Sequence, residues 1–388
     1  MKKTLILTGV LAVFATSAYA QSTVTLYGSL DAGLVYSNNS GGGSLWAQGS
    51  GAMSDNYFGL RGAEDLGGGL KAVFRLESGF DLSSGGYKNG ESGFNRQSYV
   101  GIESSRYGTL TLGRQYDPMT DYLGPISASG SGYGANLAGH PFDNDNLDQT
   151  YSIKNSIKYT SANYQGLQFG GLYGFSNDAN GFANGRSWSV GATYGNGPLK
   201  VAAGYSQVNN SGSLGASDSA ASADVNISAQ EQRTYGVGVK YAFGPAEMGF
   251  VWTHSQIDGL QGLSSGGSAP LPGMTGMNLH LDNYEINGAY HFSPALSMVG
   301  SYTYTDGTVT GSASGNNSPK WHTFMLGTDY AFSKRTDVYA AAVYQHASGS
   351  LGYSADGTAI ANVAAINTLT PSSTNNQVAA TIGLRHRF

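Results

Sequence analysis

Polarity alternates with period two through segment after segment of about ten to thirteen residues, from residue 23 to the last residue, Phe388. In the first segment Val24, Leu26, Leu30, Ala32, Leu34 and Tyr36 share one face, and Thr23, Thr25, Tyr27, Ser29 and Asp31 the other. In the last, Val378, Ala380, Ile382, Leu384, His386 and Phe388 alternate with Gln377, Thr381, Arg385 and Arg387. Period two in long runs is the pattern of β-strands with two unlike faces. Sixteen such segments are read, the first at 23–37 and the last at 375–388. The gaps alternate as well. Short turns such as Leu66-Gly67-Gly68, Asn196-Gly197 and Gly244-Pro245 separate long Gly/Ser/Asn/Asp-rich loops near 38–52, 82–93, 117–150, 176–184, 209–229, 259–278, 307–317 and 349–374.

That asymmetry requires an up-and-down antiparallel barrel with both termini on the short-turn side, as in outer-membrane barrels. A soluble sandwich uses strands of about five or six residues and leaves the long loops unexplained. A propeller or solenoid needs a blade-length repeat, which the chain lacks. Sixteen strands enclose an aqueous channel, whereas small barrels fill with side chains.

Composition supports the same class. Charged residues are 12% of the chain, about half the share in soluble domains. No run approaches the ~20 apolar residues of a membrane-spanning helix. Cysteine is absent, which excludes disulfide scaffolds, thiolate metal sites and cysteine nucleophiles. Lys2 and Lys3, the apolar stretch Leu5–Ala15 and the small-x-small step Ala18-Tyr19-Ala20 read as a secretory signal over residues 1–20, cleaved after Ala20. The remaining 21–388 is one barrel domain, two units more acidic than the full chain's net charge of −5. An acidic exported chain is not a nucleic-acid binder.

Several ordered motifs resemble the Gram-negative general porins. They are Thr25-Leu26-Tyr27-Gly28, the run from Gly62 to Ala72, Gly113-Arg114-Gln115-Tyr116-Asp117, Asn155-Ser156-Ile157-Lys158-Tyr159, Ser333-Lys334-Arg335-Thr336 and the terminal Gly383–Phe388. The resemblance implies a homotrimer of sixteen-stranded barrels in the outer membrane, among lipid and lipopolysaccharide, passing ions and small hydrophilic solutes without a cofactor. It implies that the third long loop, 117–150, folds into the lumen as a constriction. It also implies that the assembly machinery recognises the terminal Phe388.

Parity and the resemblance together mark a candidate pore lining. Arg75 and Glu77 lie opposite Ala72, Phe74 and Leu76, and Arg61 opposite Phe58 and Leu60, so all three point inward. Arg96 matches a basic position of the family; Tyr57 and Ser152 stand where relatives often carry Arg, with Lys154 on the same face as Ser152. The loop 117–150 supplies Asp117, Asp121, Asp143, Asp145 and Asp148 and no Lys or Arg. Acidic loop and net charge together predict a weak cation preference, since charged rings are how pores choose ions.

Other motifs carry less. Gly262-Leu263-Ser264-Ser265-Gly266 has nucleophile-elbow spacing but lies in a Gly/Ser loop without the strand–turn–helix context. The seven His form no zinc pattern. Asp143-Asn144-Asp145-Asn146-Leu147-Asp148 has alternating oxygen ligands but lacks the Gly and bidentate Glu of a calcium loop. The reading is therefore a non-enzymatic diffusion porin. Its alternatives are a substrate-selective channel of the same fold and, in another class, a non-conducting barrel acting as an adhesin or outer-membrane enzyme.

Overall fold

The computed structural model describes residues 23–388 except 89–92, 132–135, 178, 180, 212–219, 222–224, 266–272, 314 and 355. The expected signal peptide over 1–20, parts of the loops at 82–93 and 117–150, and Gly266 of the Ser264 motif lie outside the described residues. The strands in chain order are β1 (Thr23–Ser40), β2 (Gly43–Ser50), β3 (Tyr57–Gly67), β4 (Leu70–Gly79), β5 (Gln97–Ser104), β6 (Gly108–Gln115), β7 (Ile153–Thr160), β8 (Leu167–Gly174) and β9 (Ser187–Asn196). There follow β10 (Leu199–Ser211), β11 (Ile227–Phe243), β12 (Ala246–Leu263), β13 (Asn278–His291), β14 (Leu296–Ser312), β15 (Gly315–Asn317), β16 (Lys320–Ala331), β17 (Thr336–Ser348) and β18 (Asn376–Arg387).

They form a single antiparallel sheet that closes on itself, β1 pairing with β18 from Ser29↔Arg387 to Ser37↔Ala379. β1 pairs with β3 along its first half and with β2 along its second, and β14 pairs with β16 and then β15. The eighteen strands are thus sixteen staves of an all-β barrel, the count read from the sequence. Closure removes the edge strands that bare sheets leave open to aggregation. The last residue meets β1 at the short-turn rim, where Gly28 and Phe388 exchange two backbone hydrogen bonds of 3.1 Å. A Cβ at position 28 would stand 2.6 Å from the Phe388 ring and 2.5 Å from the Tyr57 carbonyl oxygen, so the tyrosine–glycine step and the terminal phenylalanine depend on each other.

Two of the stretches read as loops, 38–52 and 307–317, are largely strand. β1 and β2 turn through Gly41 (φ +63°) and Gly42 (φ +112°), and the cross-strand pair Tyr36↔Trp46 packs with its rings tilted by 43° and their centroids 4.8 Å apart. Their Gly/Ser content hid the hairpins. Such a pair contributes about 0.5–1.5 kcal/mol beyond its buried area.

The polarity of the barrel is inside out. Leu26, Leu34, Val100, Leu112, Ile286, Leu326 and Ile382 are exposed on the outer face. Asp31, Ser187, Ser189, Thr253, Ser255, Asn283, Glu285, Thr305 and Gln377 are buried on the inner one. Only hydrocarbon outside and water or polar loops inside make that arrangement favourable. Buried apolar clusters occur where loops pack on the inner wall: Met119, Tyr122, Leu123, Ile126 and Leu147 with Ala202 and Val251, and Phe142 edge-on to Trp321 at 5.7 Å.

Candidate pore lining and constriction loop

β3 and β4 carry the cations. Arg61 and Arg75 are cross-strand partners, and both guanidiniums lie against the Tyr27 ring from β1, 5.1 and 5.2 Å from its centroid. The Tyr27 hydroxyl donates to Glu77 Oε2 (2.7 Å) and accepts from Arg75 Nε (2.7 Å). Glu77 also accepts from Arg96 Nε at 2.8 Å. Arg96 then reaches Asp55, stacks on Tyr57 (5.0 Å) and Tyr116 (5.5 Å), and donates to Gln149 of the loop at 3.2 Å. Asp55 takes a second cation, Lys88, at 2.8 Å. Burial alone would raise the Asp55 carboxyl, but Lys88 and Arg96 outweigh burial and hold it down at about 2. The structure therefore brings together Arg61, Arg75, Glu77 and Arg96, and adds Tyr27, Asp55 and Lys88.

The loop between β6 and β7 lies against the inner wall. Its helix α1 (Pro118–Leu123) and the turn Gly124–Ile126 sit on a shelf of strand glycines. A Cβ at Gly204 would stand 2.9 Å from the Met119 Cα, and one at Gly238 would stand 2.8 Å from Leu123 Cδ1. Polar latches hold the rest. Asn287 donates to the Ile126 carbonyl (2.9 Å), the Ala128 N–H donates to Glu285 (2.9 Å), and Gln232 and Ser255 donate to the Asn144 carbonyl at 2.6 and 2.9 Å. His140 bridges Asp145 at 2.6 Å and Glu285 at 3.2 Å. Burial lowers the affinity of His140 for a proton, but the two carboxylates more than reverse this, and its pKa lies well above the ordinary value. Leu137 and Ala138 pack on the inner wall from β13 to β18 with Ala289, Val299, Met325, Tyr339 and Ala379, and Asn136 donates to the Gly51 carbonyl at 2.9 Å.

This packing redistributes the five loop carboxylates. Asp117 does not face the lumen: it is 2% exposed, caps α1 through the Met119 N–H (2.9 Å), and accepts from Ser189 Oγ at 2.8 Å. Asp at an N-cap satisfies helix N–H groups that otherwise lack partners. Asp145 is held by His140, and Asp148 accepts from Asn367 at 2.8 Å. Asp143 accepts the Asp148 N–H at 3.1 Å; burial and the neighbouring Asp145 raise its carboxyl to about 6. Their oxygens are taken up by loop N–H groups, by His140 and by Ser189, Thr253 and Asn367 beside the loop, and among the described residues no group of three or more His, Asp or Glu is placed to hold a metal ion. Asp121 alone of the five lines the polar cavity between the loop and the wall of β1 and β3–β7, a space of about 510 Å³, where it pairs with Lys158.

Lys154 is not brought to this cluster. Asn155 has φ +52° and the β6–β7 register slips near it, so parity is interrupted and Ile153, fully buried, takes the inward place. An inserted bulge residue turns its neighbours to the other face. Lys158, three residues past the bulge, is the lysine that lines the cavity, donating also to the Tyr116 carbonyl at 2.8 Å.

Comparison with known proteins decides the family. A family model described as Gram-negative porin matches residues 7–350. The chain belongs to the Gram-negative porin family. An outer membrane porin protein of Bordetella pertussis is 33% identical over 383 residues, 89% of this chain and 94% of that protein. Outer membrane porin protein 32 of Delftia acidovorans is 35% identical over 217 residues, 53% of this chain and 60% of that one. Among solved structures, an anion-selective porin from Comamonas acidovorans superposes with TM-score 0.71 at 23% identity, covering 95% of this chain and all of that one. The protein is thus an outer-membrane porin, a barrel of sixteen staves whose lumen is the route for small solutes.

Proposed function

We propose that this porin is a passive-diffusion channel for ions and small hydrophilic solutes, with no catalytic step. In this reading residues 117–150 set the narrow passage. Arg61, Arg75, Arg96, Lys158, Glu77 and Asp121 set its charge bias. The observation that carries the reading is the docked loop: α1 and the latches around His140 press it onto β9–β13, Leu137 and Ala138 pack on β13–β18, and a polar cavity remains beside β1 and β3–β7. The exclusion limit then follows from one loop's packing.

The charge bias favours anions, the reverse of the sequence expectation. Four of the loop carboxylates that motivated a cation preference are taken up in capping and latching. In the group joined through Tyr27, Glu77 and Asp55, the four cations Arg61, Arg75, Arg96 and Lys88 stand with two carboxylates, while Lys158 and Asp121 balance each other as a separate pair. In a potassium chloride gradient across a planar bilayer, the reversal potential is expected on the anion side. A cation-side potential would overturn this assignment. The same recording is expected to show current closing in three equal steps, for a homotrimer; OmpT, an outer membrane protein of Vibrio cholerae, has been solved in a trimer form. Single uniform steps would argue for a monomer.

The N-terminal pattern supports export by a signal cleaved after Ala20, so the protein extracted from outer membranes is expected to begin at Gln21; a retained Met1 would contradict it. The exposed ring of Phe388 at the short-turn rim supports recognition by the barrel-assembly machinery, with lipid and lipopolysaccharide around the outer face.

A further inference from the structure

On the outer face, at the long-loop end, one row of directly opposed residues runs from β12 to β18: Trp252, Tyr284, Tyr304, His322, His346 and Asn376. Trp and Tyr in such a row form the girdle where a barrel leaves the bilayer. Two histidines continue it. His322 on β16 and His346 on β17 are cross-strand partners, both half-buried, with ring centroids 6.5 Å apart and planes tilted by 33°.

Hydrogen bonds orient both rings. His322 Nδ1 meets the Tyr302 hydroxyl on β14 at 2.8 Å, and His346 Nδ1 meets Asn376 Oδ1 on β18 at 2.8 Å. Since β16 and β17 lie between β14 and β18, each Nδ1 is turned away from the other histidine. The Cδ2–Nε2 edges are therefore turned towards each other. Asn376 is itself fixed: its Oδ1 accepts from the Tyr344 hydroxyl at 2.7 Å, and its Nδ2 donates to Asn375 at 2.7 Å. An amide oxygen only accepts, so His346 Nδ1 carries the proton and Nε2 keeps its lone pair. The Tyr302 hydroxyl rotates to suit either proton position, so His322 takes the same tautomer when a ligand draws on Nε2. Among the described residues neither Nε2 has a hydrogen-bond partner.

This is how metal-ligating histidines are held, one ring nitrogen anchored and the other free. A metal ion lies about 2.0–2.1 Å from an imidazole nitrogen, so a shared ion sets two rings roughly 5–6 Å apart, within a small side-chain rotation of the separation found. The nearest cation is drawn off to the β14 side, where Lys320 meets Asp306 at 3.6 Å and donates to the Tyr304 hydroxyl.

We propose that His322 and His346 form a surface site for a borderline divalent transition metal, Cu²⁺ above Zn²⁺, with water in the remaining positions. Imidazole suits these ions, and the chain has no cysteine to offer a softer ligand. A bound ion ties β16 to β17 beyond their backbone ladder. The site is independent of the pore, which lies on the other face of the same strands.

The test is calorimetric titration of the refolded full chain in detergent micelles with Cu²⁺, paired with pulsed electron spin resonance. One strong site per chain is expected, with an echo modulated by two imidazoles, displaced by Zn²⁺ and not by Mg²⁺. The pair exists only in the folded barrel, so Cu²⁺ is also expected to raise the temperature at which the folded band is lost in gel electrophoresis. His346→Gln is expected to weaken binding at least tenfold and to leave a single-imidazole echo. Asn376→Ala, which only frees the ring of His346, is expected to weaken it about tenfold. His254→Gln is the control: its Nδ1 is bound to Asp282 at 3.0 Å on the neighbouring strand, and binding is expected to match the parent. A folded band at moderate temperature verifies that each variant is intact. Unchanged binding in His346→Gln, loss of binding in His254→Gln, or a single-imidazole echo in the parent each overturns the proposal.

Discussion

Glu285→Ala is expected to replace a quiet open channel with one that flickers among several sub-levels. Glu285 points into the lumen from β13 and is fully buried. Its carboxylate meets His140 Nε2 at 3.2 Å and accepts the Ala128 N–H at 2.9 Å, two points of the constriction loop twelve residues apart. His140 keeps its second carboxylate, Asp145, so the imidazolium persists in the variant, short of one neighbour. Because His140 and Asp145 still neutralise each other, the loss on this side is that of one hydrogen bond to a charged group, about 1.5–3 kcal/mol. The orphaned Ala128 N–H adds about 1–3 kcal/mol. Strand pairing of β13 with β12 and β14 is a backbone ladder and does not involve this side chain. The loss therefore falls on the loop and not on the barrel. Glu285→Gln retains an acceptor for Ala128 and is expected to flicker less. The pH dependence has a definite sign. With its pKa raised, His140 contributes fully below its unfolded value and loses the contribution only as pH rises through the higher folded one. Alkaline buffer is expected to reproduce the flicker and mild acid to leave it quiet. Bilayer recordings in which Glu285→Ala is as quiet as the parent at every pH would show that the latch does not hold the loop.

The barrel was legible because a membrane-spanning sheet writes its two environments into alternate residues. Val24, Leu26 and Leu34 against Ser29 and Asp31 define β1 without any knowledge of its partners. The same parity places Arg61, Arg75 and Glu77 inward, since β3 and β4 run without a bulge through those positions. It misplaces Lys154, because a left-handed Asn155 has no signature beyond being an asparagine. The loop was read less well. Composition gave the loop five carboxylates and the reading placed Asp117 and Asp121 at the lumen, but the roles of Asp117, Asp143 and Asp145 depend on which N–H groups and which histidine stand beside them, and these are fixed only by folding. Two signals were present and not used. Asp117-Pro118 at the end of β6 has the form of an N-cap followed by proline at the first helical position. Glycines inside otherwise regular strands, at 191, 204, 236 and 238, mark a place where another backbone approaches.

That glycine shelf leads to the second large effect. Gly204→Val is expected to lower single-channel conductance while leaving the barrel folded. β10 is paired along both edges, with β9 from Leu199↔Asn196 and with β11 from Leu199↔Tyr241, so position 204 has little freedom to retreat. The atoms it would strike are the Cα, Cβ and Cγ of Met119, at 2.9, 2.9 and 3.0 Å. A Cα moves only with its helix, so rotation of a side chain offers no relief. α1 is also confined on its other faces: Asp117 caps it and bonds Ser189, and a Cβ at the neighbouring Gly191 would already be 2.9 Å from the Pro118 carbonyl oxygen. The remaining direction is away from the wall, into the passage. Overpacking of this kind costs about 1–3 kcal/mol, too little to unfold a closed sixteen-stave sheet but enough to move one short helix. Ala203→Val supplies the control, because residue 203 is exposed on the opposite, lipid-facing side of the same strand. It is expected to conduct as the parent does, with the same heat resistance of the folded band in gel electrophoresis. Equal conductance in Gly204→Val and Ala203→Val would mean that α1 does not border the route the ions take. A reduced current in Gly204→Val alone would locate the narrow passage beside α1.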